Sequence, residues 1–249
     1  MRKLCIVMLA TAVSVAISGL VRAADDPKAV VDKGIKALGG EDKLAKVKVI
    51  SWKTKGKIFI QGNPNDFTTE VTAEGLDHFR SKFEGDFGGM KIEATAILAG
   101  DKGWRTLPDS SELDADHLAV AKRNAYLEVL PITLVGLKEN TFKLEADKEE
   151  KVDGKPAVGI KVTGPDKKEF TVFFDKESGL PVRLVGKVMN WMDQEVTQET
   201  SYGGYKDIDG IKKATKIEIK HDGEKVVEAE ITDFKVLDKV DPKTFAKPE

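Results

Sequence analysis

The feature that most restricts the fold of this chain is a single long amphipathic helix set into a run of strand-length segments. Residues 48–98 largely alternate polar and apolar with period two, residues 112–130 follow helical spacing, and period-two segments return from residue 142 onward. The stretch Ile97-Leu98-Ala99-Gly100-Asp101-Lys102-Gly103-Trp104 marks the transition, reading as strand, tight turn and short strand, with Pro108 as a stop. A helix cannot extend a β-ladder, so it must lie over a face of the sheet. The expected arrangement is a curved sheet with the helix laid over its concave side.

The strands can be placed by their alternation. Ile50, Trp52, Thr54, Gly56, Ile58 and Ile60 share one face of the first, with Lys53, Lys55 and Lys57 opposite. Phe67, Thr69, Val71 and Ala73 repeat the pattern, then Phe79, Ser81 and Phe83, then Met90, Ile92, Ala94, Ala96 and Leu98. For the long helix, Ser110-Ser111-Glu112 supplies a cap with early acid, Leu113, Val120, Leu127 and Leu130 form a seam, and Pro131 is the predicted end. A shorter helix opens at Asp26-Pro27, with a cap acceptor followed by proline at the first helical position, and closes at Gly39-Gly40. About eleven or twelve strands with regularly spaced turns give a mainly β fold, a sandwich or barrel.

Residues 1–23 read as an export signal: basic Arg2-Lys3, an apolar run over 4–21, then Val21-Arg22-Ala23 with small residues at the cleavage positions. Cleavage is expected after Ala23, leaving one domain over residues 24–249. Cys5, the single cysteine, falls inside the signal, so lipid anchoring at the cut, disulfides and thiol chemistry are all excluded from the mature chain. Removing Arg2, Lys3 and Arg22 from 40 basic against 42 acidic side chains leaves a net charge of −5, which disfavours nucleic acid as a partner.

Catalytic signatures are missing. His78, His117 and His221 lack the spacing of a metal site, and there is no nucleophile elbow, Walker loop or dinucleotide fingerprint, so neither metal nor cofactor is expected. A hydrolase built from two carboxylates meeting in space is one alternative. Another is a non-enzymatic envelope interaction module with a filled core. The apolar residues carry the main reading. A large curved sheet with one or two helices cannot fill its concavity with its own side chains. Trp52, Ile58, Phe83, Ile92, Trp104, Leu127 and Phe174 are the expected lining of an apolar pocket for an acyl chain.

Three segments resemble the LolA/LolB-like periplasmic lipoprotein-carrier superfamily. Ala99-Gly100-Asp101-Lys102-Gly103-Trp104-Arg105-Thr106-Leu107-Pro108 is similar to its D-G-x-x-x-W-x-x-x-P segment, with the tryptophan here directly after Gly103. Phe173-Phe174-Asp175-Lys176-Glu177-Ser178-Gly179-Leu180-Pro181 is similar to its aspartate-to-glycine hairpin, and Asp241-Pro242-Lys243-Thr244-Phe245-Ala246-Lys247-Pro248 to its D-x-x-x-F-x-x-P ending. Ala37-Leu38-Gly39-Gly40 is similar to the start of outer-membrane lipoprotein-sorting relatives, whereas Gly203-Gly204 and Ile211-Lys212-Lys213 have no place in the pattern. The resemblance implies an unclosed antiparallel β-barrel of about eleven strands with an N-terminal helix and a helical lid. It further implies a periplasmic, non-enzymatic carrier for lipid or lipoprotein acyl chains that works with an envelope protein partner. In such carriers an arginine on the sheet latches the lid, a role that falls on Arg80.

Overall fold

The computed structural model describes residues 26–107 and 109–248; the export segment and its cut after Ala23 lie outside them. The chain opens with α1 (Pro27–Leu38) and α2 (Glu41–Leu44). Four long strands follow: β1 (Val49–Ile60), β2 (Asn63–Glu74), β3 (His78–Phe87) and β4 (Met90–Ala99). Short β5 (Lys102–Arg105) and β6 (Ser111–Glu112) lead into α3 (Ala115–Thr133). The second half comprises β7 (Lys143–Val152), β8 (Lys155–Thr163), β9 (Glu169–Asp175), β10 (Pro181–Met189) and β11 (Glu195–Gly203). It ends with β12 (Lys206–Ile208), β13 (Ile211–Lys213), β14 (Lys216–His221) and β15 (Glu224–Leu237).

Thirteen strands form one antiparallel sheet in the order β6-β5-β4-β3-β2-β1-β15-β14-β11-β10-β9-β8-β7, and β12 and β13 form a separate hairpin. The sheet is not closed, since β6 and β7 are its free edges. The strand count exceeds the expected eleven or twelve because two-residue β6 and the three-residue hairpin strands are too short to show a period. β1 pairs with β15, from Val49–Leu237 to Ile58–Val227, so the first and last strands of the sheet meet at its centre.

α1 forms as its sequence dictates. Asp26 accepts a hydrogen bond from the Lys28 amide at 3.2 Å, and Gly39 ends the helix at φ 147°. Its buried face, Val31, Gly34, Ile35 and Leu38, packs on β8–β10 within the main core, which also holds Leu134, Ile160, Val172, Phe174 and Leu184. Gly34 allows this close approach: a Cβ there would lie 2.8 Å from both Leu134 Cδ1 and Phe174 Cε1. Gly34→Ala would gain up to about 1 kcal/mol of helix propensity, but overpacking of a solid core costs about 1–3 kcal/mol. The expected result is a net loss of stability, and a denaturant midpoint equal to or above wild type would refute it.

α3 departs from the sequence reading at both ends. Its cap is Asp114, which accepts from the His117 amide at 2.9 Å, while Ser111 belongs to β6. Pro131 lies inside the last turn, and the helix stops at Leu134, whose φ is +60°. A proline there removes only the amide donor of its own residue, and Leu134 N still reaches Leu130 O at 2.8 Å. From Arg123 to Ile132 the helix is buried on nearly every side except at Asn124 and Glu128.

Candidate functional site

Cross-strand pairing divides the sheet into two faces. The inner face carries Trp52, Val71, Phe83 and Ala94 on one side of the centre, and Ile217, Ile219, Leu184 and Phe174 on the other. α1 and α3 cover only part of it. Beneath them the concavity is solid: Tyr126, Leu127 and Leu130 join the main core, while Val129 and Ile132 pack with Trp52, Val71, Ala73, Ile231 and Phe234. The remainder is an open apolar trough. Ile58, Phe83, Phe87, Ile92, Ile217, Ile219 and Val227 share this face and are only half-buried.

The trough follows a ladder of neighbours across the sheet. Tyr202 pairs with Ile217, Ile217 with Ala229, Ala229 with Gly56, Gly56 with Phe67, Phe67 with Gly85 and Gly85 with Ile92. The glycines in this row allow close packing, since neighbouring atoms already fill the space a side chain would take. A Cβ on Gly56 would collide with the Glu228 carbonyl and Ala229, and one on Gly85 would meet Phe87 at 2.6 Å and Phe83 at 2.9 Å. Phe83 stacks between Phe67 and Phe87, with ring centroids 5.8 and 6.3 Å away. At this end of the strands Met90 is 61% exposed, and the β10–β11 turn presents Trp191 at 75% and Met192 at 55%.

The seven residues expected to line one pocket therefore separate. Ile58, Phe83 and Ile92 lie in the open trough. Trp52, Leu127 and Phe174 are packed in the covered half, at 3%, 4% and 1% exposure, and Phe174 also borders a recess of about 400 Å³ beside α1. Trp104 lies on the outer face, paired with Ile97 and packed with Phe245 of the C-terminal 3-10 turn Pro242–Phe245. The Gly100 turn pairs Leu98 with Gly103, which puts Gly103 and Arg105, not Trp104, on the inner face. The Trp104 and Phe245 segments that carried the family resemblance thus meet as a structural clasp. An outer-face groove of about 1,020 Å³ is lined by mixed charge, including Lys55, Lys216, Lys220, Arg183, Glu218 and Glu230.

Arg80 also faces outward, between Thr72 and Ile97, and so cannot reach a helix on the inner face. The buried latch in the structure runs the other way, from helix to sheet. Arg123 of α3, 4% exposed, donates to Lys187 O at 2.7 Å, Glu169 O at 3.0 Å, Asp166 Oδ2 at 2.9 Å and the Tyr126 hydroxyl at 2.6 Å. Burial pushes the Tyr126 hydroxyl well above the usual phenol range, so it stays protonated. The residue preceding Arg123, Lys122, meets Asp101 of the β4–β5 turn at 2.7 Å on the solvent side of the helix.

Sequence reasoning also missed a polar group within the concavity. Lys213 of β13 is 7% exposed, with its ammonium 5.6 Å from the Trp52 ring centroid and 5.8 Å from that of Phe234. Glu128, on the open stripe of α3, is solvent-accessible, yet surrounding protein raises its carboxyl to about 7, tempered by the charge of Lys213. Burial lowers Lys213 to about 8, partly offset by Glu128. Burial and then the Glu128 charge raise the Tyr202 hydroxyl above the usual phenol range. The one available signal was Ile211-Lys212-Lys213, the segment foreign to the family pattern. Among the described residues, no group of His, Cys, Asp and Glu could hold a metal.

An open antiparallel sheet of this order, with helices in its concavity, is the LolA-like fold. Solved structures similar to this chain include a LolA superfamily protein from Nitrosomonas europaea, 11% identical, covering 89% of this chain and 97% of that one, with a TM-score of 0.58. A DUF1329 family protein from Desulfovibrio piger is 16% identical, covering 88% and 97%, with a TM-score of 0.55. A domain described as outer membrane lipoprotein-sorting, from Vibrio parahaemolyticus, is 12% identical, covering 87% and 97%, with a TM-score of 0.51. No family model and no curated protein matches the chain in sequence.

Proposed function

We propose that this chain is a periplasmic carrier that holds an acyl chain in the uncovered trough of its inner face and passes it to an envelope partner. The observation that carries the reading is the half-buried apolar row at Ile58, Phe83, Phe87, Ile92, Ile217, Ile219 and Val227, left open by α1 and α3. The likeness in fold to lipoprotein-sorting and LolA superfamily structures supports it, as does the export signal. Among the described residues no helix is long and apolar enough to cross a membrane. Met90 and, several strands away, Trp191 and Met192 are exposed apolar side chains at the same end of the strands, suited to meeting a lipid surface. Docking by strand addition at β7 is less favoured, because Lys143, Glu145, Lys148, Glu149, Glu150 and Lys151 crowd that edge with charge.

An acyl chain of about fourteen carbons gains roughly 10 kcal/mol on leaving water, at about 0.8 kcal/mol per methylene. An open trough shields about half of it, so an affinity of roughly 0.2 mM is expected, weak enough for release. The fluorescent fatty acid cis-parinaric acid should bind the purified protein in this range, and Phe83→Asp, which puts a carboxylate in the middle of the trough, should weaken it at least tenfold. No binding at millimolar probe, or full binding by the Phe83→Asp variant, would overturn the carrier reading.

A further inference from the structure

The shortness of β5 leaves half of β4 as a free edge of the sheet. β5 pairs with β4 only from Ala96 to Ala99. Thr106 extends the contact by one residue: its amide donates to Thr95 O at 3.0 Å, and its hydroxyl accepts from Thr95 N at 2.8 Å. From Met90 to Ala94 the ladder has a partner on the β3 side alone. Hydrogen-bonding direction alternates from residue to residue in an antiparallel pair. Thr95 directs its backbone groups away from β3, so Lys91 and Glu93 do the same. Among the described residues, no segment meets the amides and carbonyls of these two.

The side chains along this edge favour pairing. Free edges are commonly guarded by crowded charge, as β7 is. Between Met90 and Ala94 the only charges are Lys91 and Glu93, of opposite sign, while Met90, Ile92 and Ala94 lie on the inner face. Both charges are poorly matched within the chain. Glu93 stands directly opposite Glu84, and Lys82 serves both acids, at 4.0 and 2.6 Å. Lys91 forms no ion pair among the described residues.

We propose that the Met90–Ala94 edge joins the same edge of a second copy of this chain, antiparallel, about a two-fold axis at Ile92. Met-Lys-Ile-Glu-Ala is self-complementary about its centre. Lys91 falls opposite Glu93 of the second copy, and Glu93 opposite Lys91 of the second copy. These are the residues with free backbone groups, so the register that matches the charges also completes the hydrogen bonds. Ile92 meets its own counterpart on the inner face, and Met90 lies against the small Ala94. The next residue of the second copy is Gly89, which has no side chain to strike Thr106 where it closes the edge. The pair Glu84 and Glu93 gains a second lysine. Charge favours a second copy over an unrelated strand, which would need an acid opposite Lys91 and a base two residues away. A two-fold axis perpendicular to the sheet keeps both inner faces on one side, so the two troughs run together across Ile92. The contact is smaller than a standard interface, which sets a dissociation constant on the order of 0.1 mM. It stands independently of the carrier reading.

Sedimentation equilibrium of the purified protein, at concentrations spanning that value, should show a monomer–dimer exchange. Lys91→Glu and Glu93→Lys should each weaken self-association about tenfold or more, because like charges then face each other at both ends of the contact. Mixing the two variants should restore a dimer, since every pair across the axis is again of opposite sign. Lys91→Pro should abolish association without unfolding the chain, as the amide it removes points away from β3. Far-ultraviolet circular dichroism confirms that each variant is folded. The register is read by disulfide formation on a Cys5→Ser background. Ile92→Cys should cross-link readily, because the facing Cα atoms lie about 4.5 Å apart, within disulfide reach. Met90→Cys, opposite Ala94, should not. A protein that stays monomeric throughout, a dimer indifferent to the charge reversals, or cross-linking no faster at residue 92 than at residue 90 would each overturn the proposal. So would recovery of a different protein on this edge in place of a second copy.

Discussion

Arg123→Met is expected to destabilise the protein by about 3 kcal/mol, near the lower end of what removing one member of a buried charged network costs. The guanidinium holds α3 to the sheet through two backbone carbonyls, one carboxylate and one hydroxyl, and no smaller side chain can span them. Methionine keeps most of the volume but leaves Lys187 O, Glu169 O and Asp166 without their donor. Asp166 is partly exposed and regains water, which keeps the loss below the extreme. The change should show first as faster hydrogen exchange in α3, with β1 and β15 less affected, because the helix loses its tether while the sheet keeps its ladder. A chemical denaturation midpoint within error of wild type would mean that the network adds nothing to stability. If α3 must shift for an acyl chain to settle, the same variant should bind parinarate faster.

Lys213→Met should act in the opposite direction, stabilising the unliganded protein by about 3 kcal/mol at pH 7. Folding drives this lysine from 10.5 to about 8, and each unit of such a shift is worth about 1.4 kcal/mol. Methionine preserves contact with Trp52 and Phe234 without a cation to desolvate. The pH dependence gives an independent check. Between pH 8 and 10.5 the folded chain has released a proton that the unfolded chain still holds, so raising pH favours folding of the wild type. Glu128 acts on the acid side: its folded value near 7 exceeds the ordinary 4.5, so raising pH through that interval favours unfolding. These two groups together place a stability minimum between pH 7 and 8. The alkaline rise should vanish in Lys213→Met, and the acid-side fall in Glu128→Ala. A wild-type profile rising steadily from pH 5 to 8 would contradict the Glu128 assignment. A Lys213→Met variant less stable than wild type at pH 7 would contradict the Lys213 assignment.

How far the sequence could be read depended on segment length and on charge. β1 to β4 are long enough for period two to emerge, and Trp52, Thr54, Gly56 and Ile58 lie on the face that their alternation assigns. β5 has four residues, too few to carry a phase, and the tight turn at Gly100 decided which way Trp104 points. In α3 the seam through Leu127 and Leu130 is visible in the spacing, but nothing in that spacing marks Arg123 as buried. A charged residue on an amphipathic helix is normally a solvated one, and only a set of acceptors far away in sequence makes Arg123 an inward residue. The same prior concealed Lys213, which sits on a three-residue strand flanked by Lys212 and Ala214. Arg80 illustrates the converse: a role suggested by family likeness depends on which face the strand turns inward, and here Arg80 turns outward.

The union of β1 with β15 bears on how the molecule is assembled in time. Strands made nearly two hundred residues apart must zip together before either half has a finished edge, so most of the loop-closure entropy is met in one late event. A nascent chain lacking its final stretch would display two separate unfinished sheets, β6 to β1 and β14 to β7, each with a bare hydrogen-bonding margin. Clipping residues 224–248 should accordingly yield an aggregating fragment, since the break would open through the middle of the structure and not at its periphery.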